Sequence, residues 1–176
     1  MREHRQVQPT QVERSIGREE VIVSKTDTAG VITYANDVFC RIAGFDLHEI
    51  LGAPHNIIRH PDMPRCVFKF LWDRISQGHE VFAFVKNMAR NGDFYWVLAH
   101  VTPTYDGRGE IAGYHSNRRW PDPVSIAQVE PIYKSLRAIE LSHDHQEGLR
   151  LSTNALVSHL EANNVSYDEF IFSVIR

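Results

Sequence analysis

Positions 55–64 read His-Asn-Ile-Ile-Arg-His-Pro-Asp-Met-Pro, a segment with two prolines, two histidines and one arginine. Its apolar residues follow neither the alternation of a strand nor the period of a helix. The prolines also limit regular structure. We therefore predict a short helical turn followed by a loop. Segments with strand character lie on both sides, so the fold depends on how the chain continues in each direction.

Two short strands precede this segment. Apolar and β-branched residues dominate positions 21–24 and 31–34, and the polar residues between them end at Gly30. Glycine adopts the positive φ that tight turns need, so the pattern predicts an antiparallel hairpin. Asn36 and Gly44 then enclose a helical segment, as expected for an N-terminal cap and a C-terminal stop.

A helix follows the 55–64 segment. Apolar residues recur with helical spacing over positions 64–77, and Asp62 is placed to cap the first turn. The apolar stripe consists of Val67, Phe68, Leu71, Trp72 and Ile75.

Three more strands are predicted at 80–86, 94–101 and 111–117. The first two are joined through Asn91-Gly92, a strong hairpin signal.

The element order is therefore two strands, several short helices and three strands, followed by further helices. It predicts an α+β fold with a five-stranded antiparallel sheet and short helices on one face. We divide the chain into a polar flank at 1–19, a central domain at 20–119 and a helical C-terminal extension at 120–176. In that extension, helical periodicity covers about 126–140 and 146–163.

Composition limits the classes of function. The 176 residues carry 19 Lys and Arg against 22 Asp and Glu, which argues against a general nucleic-acid binder. Two cysteines cannot form a disulfide framework or a four-thiolate zinc site. Neither a signal peptide nor a long apolar run is evident. We therefore expect a soluble, cytoplasmic protein without a membrane span.

The element order is that of a PAS domain, and particular residues extend the resemblance. Roughly residues 20–119 resemble the sensor domain of bacterial aerotaxis receptors, which in that family holds FAD noncovalently and reports redox state. The matching segments are 32–37, 44–45, 55–64, 85–87, 90–93 and 95–97, together with Trp72. The chain departs from that family beyond residue 120, because neither an apolar anchor nor a long coiled coil follows.

The resemblance implies a set of cofactor-binding residues: Asn36, His55, Asn56, Arg59, His60, Asp62, Phe68, Trp72, Asn87 and Trp96. All of them would converge on one cavity. Arg59 would contact a phosphate or a ring carbonyl, Trp72 would stack on an aromatic ligand, and Asn87 would bond the edge of a flavin ring.

Each residue also has a structural interpretation. Asn36 and Asp62 are candidate helix caps, and Arg59 and Asp62 are a candidate ion pair. Trp72 and Trp96 have the spacing of core residues, and His60 has the context of an ordinary loop histidine.

The resemblance implies a redox or oxygen sensor that signals by conformational change, without catalytic turnover. The expected partners are a second copy of the chain and a chemotaxis or other signalling protein. A haem-binding sensor is an alternative, with His55, His60, His79 and His100 as candidate ligands. A cofactor-free interaction domain with a filled cavity is another. The reactive cysteine of photoactive flavin domains has no counterpart in the 55–64 segment.

Overall fold

A computed structural model describes residues 7–175 of the chain. The five strands form one antiparallel sheet in the order β2-β1-β5-β4-β3. Their bounds are β1 Val21–Thr26, β2 Ile32–Ala35, β3 Val81–Met88, β4 Phe94–Tyr105 and β5 Ile111–Arg119. The predicted α+β class and the five-stranded antiparallel sheet are confirmed.

The helices follow the predicted order. They are α1 Asp37–Ala43, α2 Leu47–Ile50, a 3-10 helix His55–Ile58, α3 Arg65–Ile75, α4 Pro123–Leu141, α5 His145–Ala162 and α6 Tyr167–Val174. The helical turn predicted within 55–64 is therefore present. In residues 7–175, no helix has both the length and the hydropathy needed to cross a membrane.

The first turn of α3 is capped differently from the prediction. Pro64 occupies the capping position and its side chain forms no capping hydrogen bond. Asp62 instead accepts a hydrogen bond from Lys86 Nζ at 2.7 Å, so its predicted role as a cap is wrong. The carboxylate of Glu140, in α4, accepts from the backbone N–H groups of Arg65 and Cys66 at 2.9 and 3.0 Å.

The C-terminal helices pack against the free edge of β3. Tyr133 of α4 donates its hydroxyl to the carbonyl of Phe84 at 2.9 Å. Phe172 of α6 lies 5.0 Å from Phe82, measured between ring centres. These contacts cover backbone groups that an edge strand otherwise leaves exposed. The division of the chain at residue 120 stays a prediction.

The N-terminal flank joins the sheet beside the start of β4. Arg14 N–H donates to the Phe94 carbonyl at 2.7 Å, and Phe94 N–H donates to the Val12 carbonyl at 3.0 Å. The predicted flank at 1–19 therefore includes a segment that extends the sheet. Its first six residues lie outside the described part of the chain.

Candidate functional site: a cavity between the sheet and helix α3

A cavity of about 550 Å³ lies between the sheet and the helices that cover it. Its volume falls within the roughly 300–1,000 Å³ that is typical of small-molecule sites. Six of the ten predicted site residues line this cavity: His55, Asn56, Arg59, Phe68, Trp72 and Asn87. The cavity thus combines residues of the 55–64 segment, α3 and β3.

The inner end of the cavity carries a buried cation. Arg118 of β5 is 4% exposed, and its Nη2 donates to Ser24 Oγ at 2.9 Å. The same Nη2 lies 2.5 Å from His55 Nε2. Because a guanidinium only donates, His55 Nε2 is the acceptor and the imidazole is neutral.

The protonation of this pair follows from its surroundings. Burial lowers the pKa of His55 well below its usual range, and the charge of Arg118 lowers it further. Burial also lowers the pKa of Arg118, to about 10, so it stays charged at neutral pH. Throughout residues 7–175, no carboxylate lies within ion-pair distance of Arg118.

Three buried polar atoms of the lining have no hydrogen-bond partner among the described residues. They are Asn87 Nδ2, Ser116 Oγ and Arg118 Nη1. Buried polar groups are nearly always bonded in folded proteins, since leaving one unbonded costs about 1–3 kcal/mol. The inner end of the cavity therefore fits a ligand that offers several hydrogen-bond acceptors.

Apolar side chains form the flat walls. Phe68, Leu71 and Trp72 project from α3, while Val85 and Ala99 belong to the sheet. Such walls suit an aromatic ring system, and the polar inner end suits a heteroatom-rich edge. Together with the three unbonded donors, these residues fit a flavin.

Trp72 has an environment that differs from the core position considered above. The side chain is 38% exposed and meets the ring of Tyr114 edge-on, with 5.5 Å between ring centres. Gly30 lies against the indole, because a Cβ at that position would be 3.0 Å from the Trp72 ring. Trp72 is therefore a cavity wall with an open side.

The Arg59 guanidinium lies over the ring of Phe68, 4.4 Å from its centre. The predicted ion pair between Arg59 and Asp62 is absent from the described residues, because Asp62 pairs with Lys86. Arg59 therefore carries its charge on the cavity wall.

Asn36 and Trp96 lie outside the lining of this cavity. Asn36 caps α1, and its amide also bonds β1, with Oδ1 accepting from Val23 N–H at 3.0 Å and Nδ2 donating to the Val21 carbonyl at 2.8 Å. Trp96 lies on the opposite face of the sheet beside Tyr133, with 6.2 Å between ring centres. The parity of β4 explains this, because Asn87 pairs with Tyr95 and the next residue points away.

His60 and Asp62 also lie outside the lining. His60 is buried, and its Nδ1 accepts from the Asp62 backbone N–H at 3.1 Å. Burial and the nearby Lys86 ammonium lower the pKa of His60. The structure thus corrects the expectation that all ten residues converge on one cavity.

Sequence reasoning missed several lining residues. Ser24, Tyr114, Ser116 and Arg118 come from β1 and β5, and His145 and Leu149 come from α5. Alternation along β5 was the available signal for its three residues, since they share one face. No local signal identifies the two residues of α5, whose position depends on tertiary packing.

Comparison with known proteins agrees with this topology. Residues 32–117 match the model of the PAS fold family. The chain is 40% identical over 140 residues to the aerotaxis receptor of Escherichia coli strain K12, covering 80% of this chain and 28% of the receptor. It is 31% identical over 99 residues to the nitrogen fixation regulatory protein of Klebsiella pneumoniae, covering 56% and 20% of the two chains. The chain therefore spans less than a third of either relative.

Solved structures show the same fold. A light-oxygen-voltage domain superposes with a TM-score of 0.55 at 18% identity, covering 63% of this chain and 84% of that one. The fungal photoreceptor VVD superposes with a TM-score of 0.51 at 20% identity, covering 60% and 81%. The sequence match and the strand order together identify the central part of this chain as a PAS sensor domain, similar to that of the aerotaxis receptor.

Proposed function

We propose that this chain is a flavin-binding redox or oxygen sensor, with FAD as its cofactor. The observation that carries the proposal is the cavity itself, with apolar walls and an inner end where Arg118 and two neighbouring donors have unbonded polar atoms. The similarity to an aerotaxis receptor supports it. Bound flavin would supply a ring edge whose charge and protonation change on reduction.

The residues of the inner end are suited to respond to that change. Asn87 has an amide that can donate or accept after rotation, and its Nδ2 has no partner in the described residues. Arg118 supplies a fixed positive charge in a buried setting, where electrostatic interactions are strong. Phe68 and Trp72 would form the walls of the ring site, and Arg59, His55 and Asn56 would complete the side formed by the 55–64 segment.

A rearrangement of Asn87 has a route out of the cavity. Asn87 lies in β3, beside a backbone bridge to Arg59. The other edge strand contacts of β3 are made by α4 and α6. A redox-dependent preference at Asn87 can shift these elements only by the difference in interaction energy between the two redox forms. The output would be docking of a second copy or of a chemotaxis-type signalling protein in the cytoplasm, without catalytic turnover.

The two alternatives receive less support. Of the four histidines named for haem, only His55 lines the cavity, and its Nε2 already faces the Arg118 guanidinium. A metal ion there would lie next to a fixed positive charge. A cofactor-free domain would fill the cavity with its own side chains, whereas the cavity measures about 550 Å³.

The test is the absorbance spectrum of freshly purified protein, followed by heat release and mass measurement of any yellow compound. We expect paired flavin bands and the mass of FAD. Protein that is colourless and also fails to quench the fluorescence of added FAD would contradict the proposal. A Soret band would favour haem.

A further inference from the structure

Helix α5 forms part of the cavity. His145 and Leu149 lie in its first two turns and line the side of the cavity opposite to the sheet. His145 is exposed, whereas Arg118 at the inner end is buried. Arg65 of α3 donates from Nη1 to the His145 carbonyl at 2.8 Å, which joins the two helices. The outer opening therefore lies between α3 and α5.

Glu140 fixes the α4–α5 hairpin, residues 123–162, against α3. Its side chain is fully buried and receives hydrogen bonds from two backbone N–H groups of α3, as described above. It also accepts from Arg65 Nε at 3.2 Å and from Ser152 Oγ at 2.9 Å. Moving the hairpin away would leave these donors and the helix terminus without an acceptor.

The opening carries an excess of positive charge. Arg65 and Arg137 lie 3.2 and 3.3 Å from the Glu140 carboxylate. Arg59 lines the cavity nearby, and within residues 7–175 its guanidinium makes no ion pair. Burial lowers the pKa of Arg59, and the charges of Arg137 and Arg65 lower it further against the opposing effect of Glu140. One carboxylate among three guanidinium groups leaves the site short of an anion, and guanidinium groups bind phosphate well.

We propose that the α4–α5 hairpin completes the cofactor site as a subsite for the phosphate chain of a flavin nucleotide. Arg59 and Arg65 are its cations, His145 and Leu149 are its outer wall, and Glu140 is the positioning residue that holds wall and cations together. The inference rests on the proposed function, because it requires that the ring of a flavin occupies the inner cavity. Its new content is that residues beyond the PAS domain select the phosphorylated forms.

Docking of the hairpin and binding of the phosphate chain are then coupled. A nucleotide that contacts α5 favours the docked hairpin, and by linkage the docked hairpin raises affinity for that nucleotide by the same factor. Riboflavin, which has the ring but no phosphate, would gain nothing from the hairpin.

The experiment measures the dissociation constants of FAD, FMN and riboflavin for the full chain by flavin fluorescence. The variants are the double substitution His145→Ala with Leu149→Ala, and Glu140→Gln. The control is Lys134→Ala, an exposed position in α4. We expect the wild type to bind FAD at least about tenfold more tightly than riboflavin, a difference of about 1.4 kcal/mol. Both variants should lose most of that preference while binding riboflavin like the wild type, and Lys134→Ala should keep it. FMN shows whether one phosphate is enough.

Hydrogen exchange of the wild type tests the coupling independently of any variant's folding. Amides of α5 should gain protection with FAD but not with riboflavin. Equal affinity for FAD and riboflavin, a parallel loss of both in the variants, or no change at α5 would overturn the hairpin subsite while leaving the flavin site intact. Failure of the wild type to bind any of the three compounds would overturn the proposed function as well.

Discussion

The Nη2 atom of Arg118 lies 2.5 Å from Nε2 of His55, so a buried guanidinium faces a neutral imidazole at the inner end of the cavity. This pair joins the last strand of the sheet to the 55–64 segment. Protonation of His55 would place two positive charges in contact, and the hydrogen bond would lose its acceptor.

The stability of the protein should therefore decrease as pH falls below about 6.5, the ordinary pKa of histidine. The pKa of His55 is lowered by burial and by Arg118, so below that pH the unfolded chain binds a proton that the folded chain does not. The lowered pKa of His60 acts in the same direction. Urea unfolding between pH 5 and 8 measures the effect.

His55→Gln is the matched variant for this dependence. It keeps a polar side chain near Arg118 but cannot titrate. The decrease in the free energy of unfolding between pH 6.5 and 5 should be smaller in the variant, with the part due to His60 remaining. An unchanged pH dependence would show that His55 does not contribute.

Arg118→Met should raise the pKa of His55 without returning it fully to the ordinary value. Burial is the larger cause of the lowered pKa and remains, whereas the charge of Arg118 is removed. NMR titration of the His55 ring protons checks the shift. If the pKa stays the same, the guanidinium does not act on the imidazole as the geometry indicates.

Gly30→Ala should destabilise the protein and displace Trp72. Gly30 has φ 81°, where a side chain costs about 1–3 kcal/mol, and its new Cβ would lie 3.0 Å from the indole. Gly109→Ala is the control, because that glycine has φ 83° but no heavy atom within 4 Å of the Cβ position. The difference between the two variants in urea unfolding isolates the contact. Flavin affinity should fall only in Gly30→Ala, and equal effects at both positions would contradict a role for the contact.

Trp72→Ala should weaken flavin binding strongly at a modest cost in stability. The side chain is 38% exposed, so its removal leaves little enclosed space. Phe39→Ala is the contrasting variant, because Phe39 is fully buried and its loss should cost about 3–5 kcal/mol. Flavin titration and urea unfolding on both variants separate the two effects. A stability loss at Trp72 as large as that at Phe39 would favour a core role instead.

The fold was predictable because its turns carry local signals. Asn91-Gly92 and Gly30 mark the two hairpins, and the strands beside them alternate regularly. The structure confirms the five antiparallel strands that these signals predict. Local signals of this kind depend only on neighbouring residues, which a single sequence displays completely.

The cavity was harder to predict because it depends on register and on distant contacts. Both faces of β3 and β4 are apolar, so alternation alone could not show that Asn87 and Trp96 point in opposite directions. The pairing of Asn87 with Tyr95 decides it. Arg118 is 63 positions from its partner His55, and Glu140 is 75 positions from Arg65. No local pattern predicts such pairs.

Glu140→Ala should destabilise the protein by about 3–5 kcal/mol, since it removes the only buried partner of several donors at the start of α3. Ser152→Ala, which removes one of those donors, should cost about 1 kcal/mol. Urea unfolding at pH 7 measures both. A smaller effect at Glu140 than at Ser152 would contradict the cap.

The same carboxylate should also make stability depend on acid. Burial acts to raise the pKa of Glu140, but the hydrogen bonds from Arg65, Cys66 and Ser152 outweigh it and lower the pKa. A carboxyl whose pKa is lowered on folding stabilises the protein above its ordinary pKa, near pH 4.3, and this contribution is lost as pH falls through the lower folded value. Glu140→Gln, which cannot titrate, should show a shallower loss of stability below pH 4.3 than the wild type. If the two curves are parallel in that range, Glu140 is not the charged acceptor that holds the hairpin on α3.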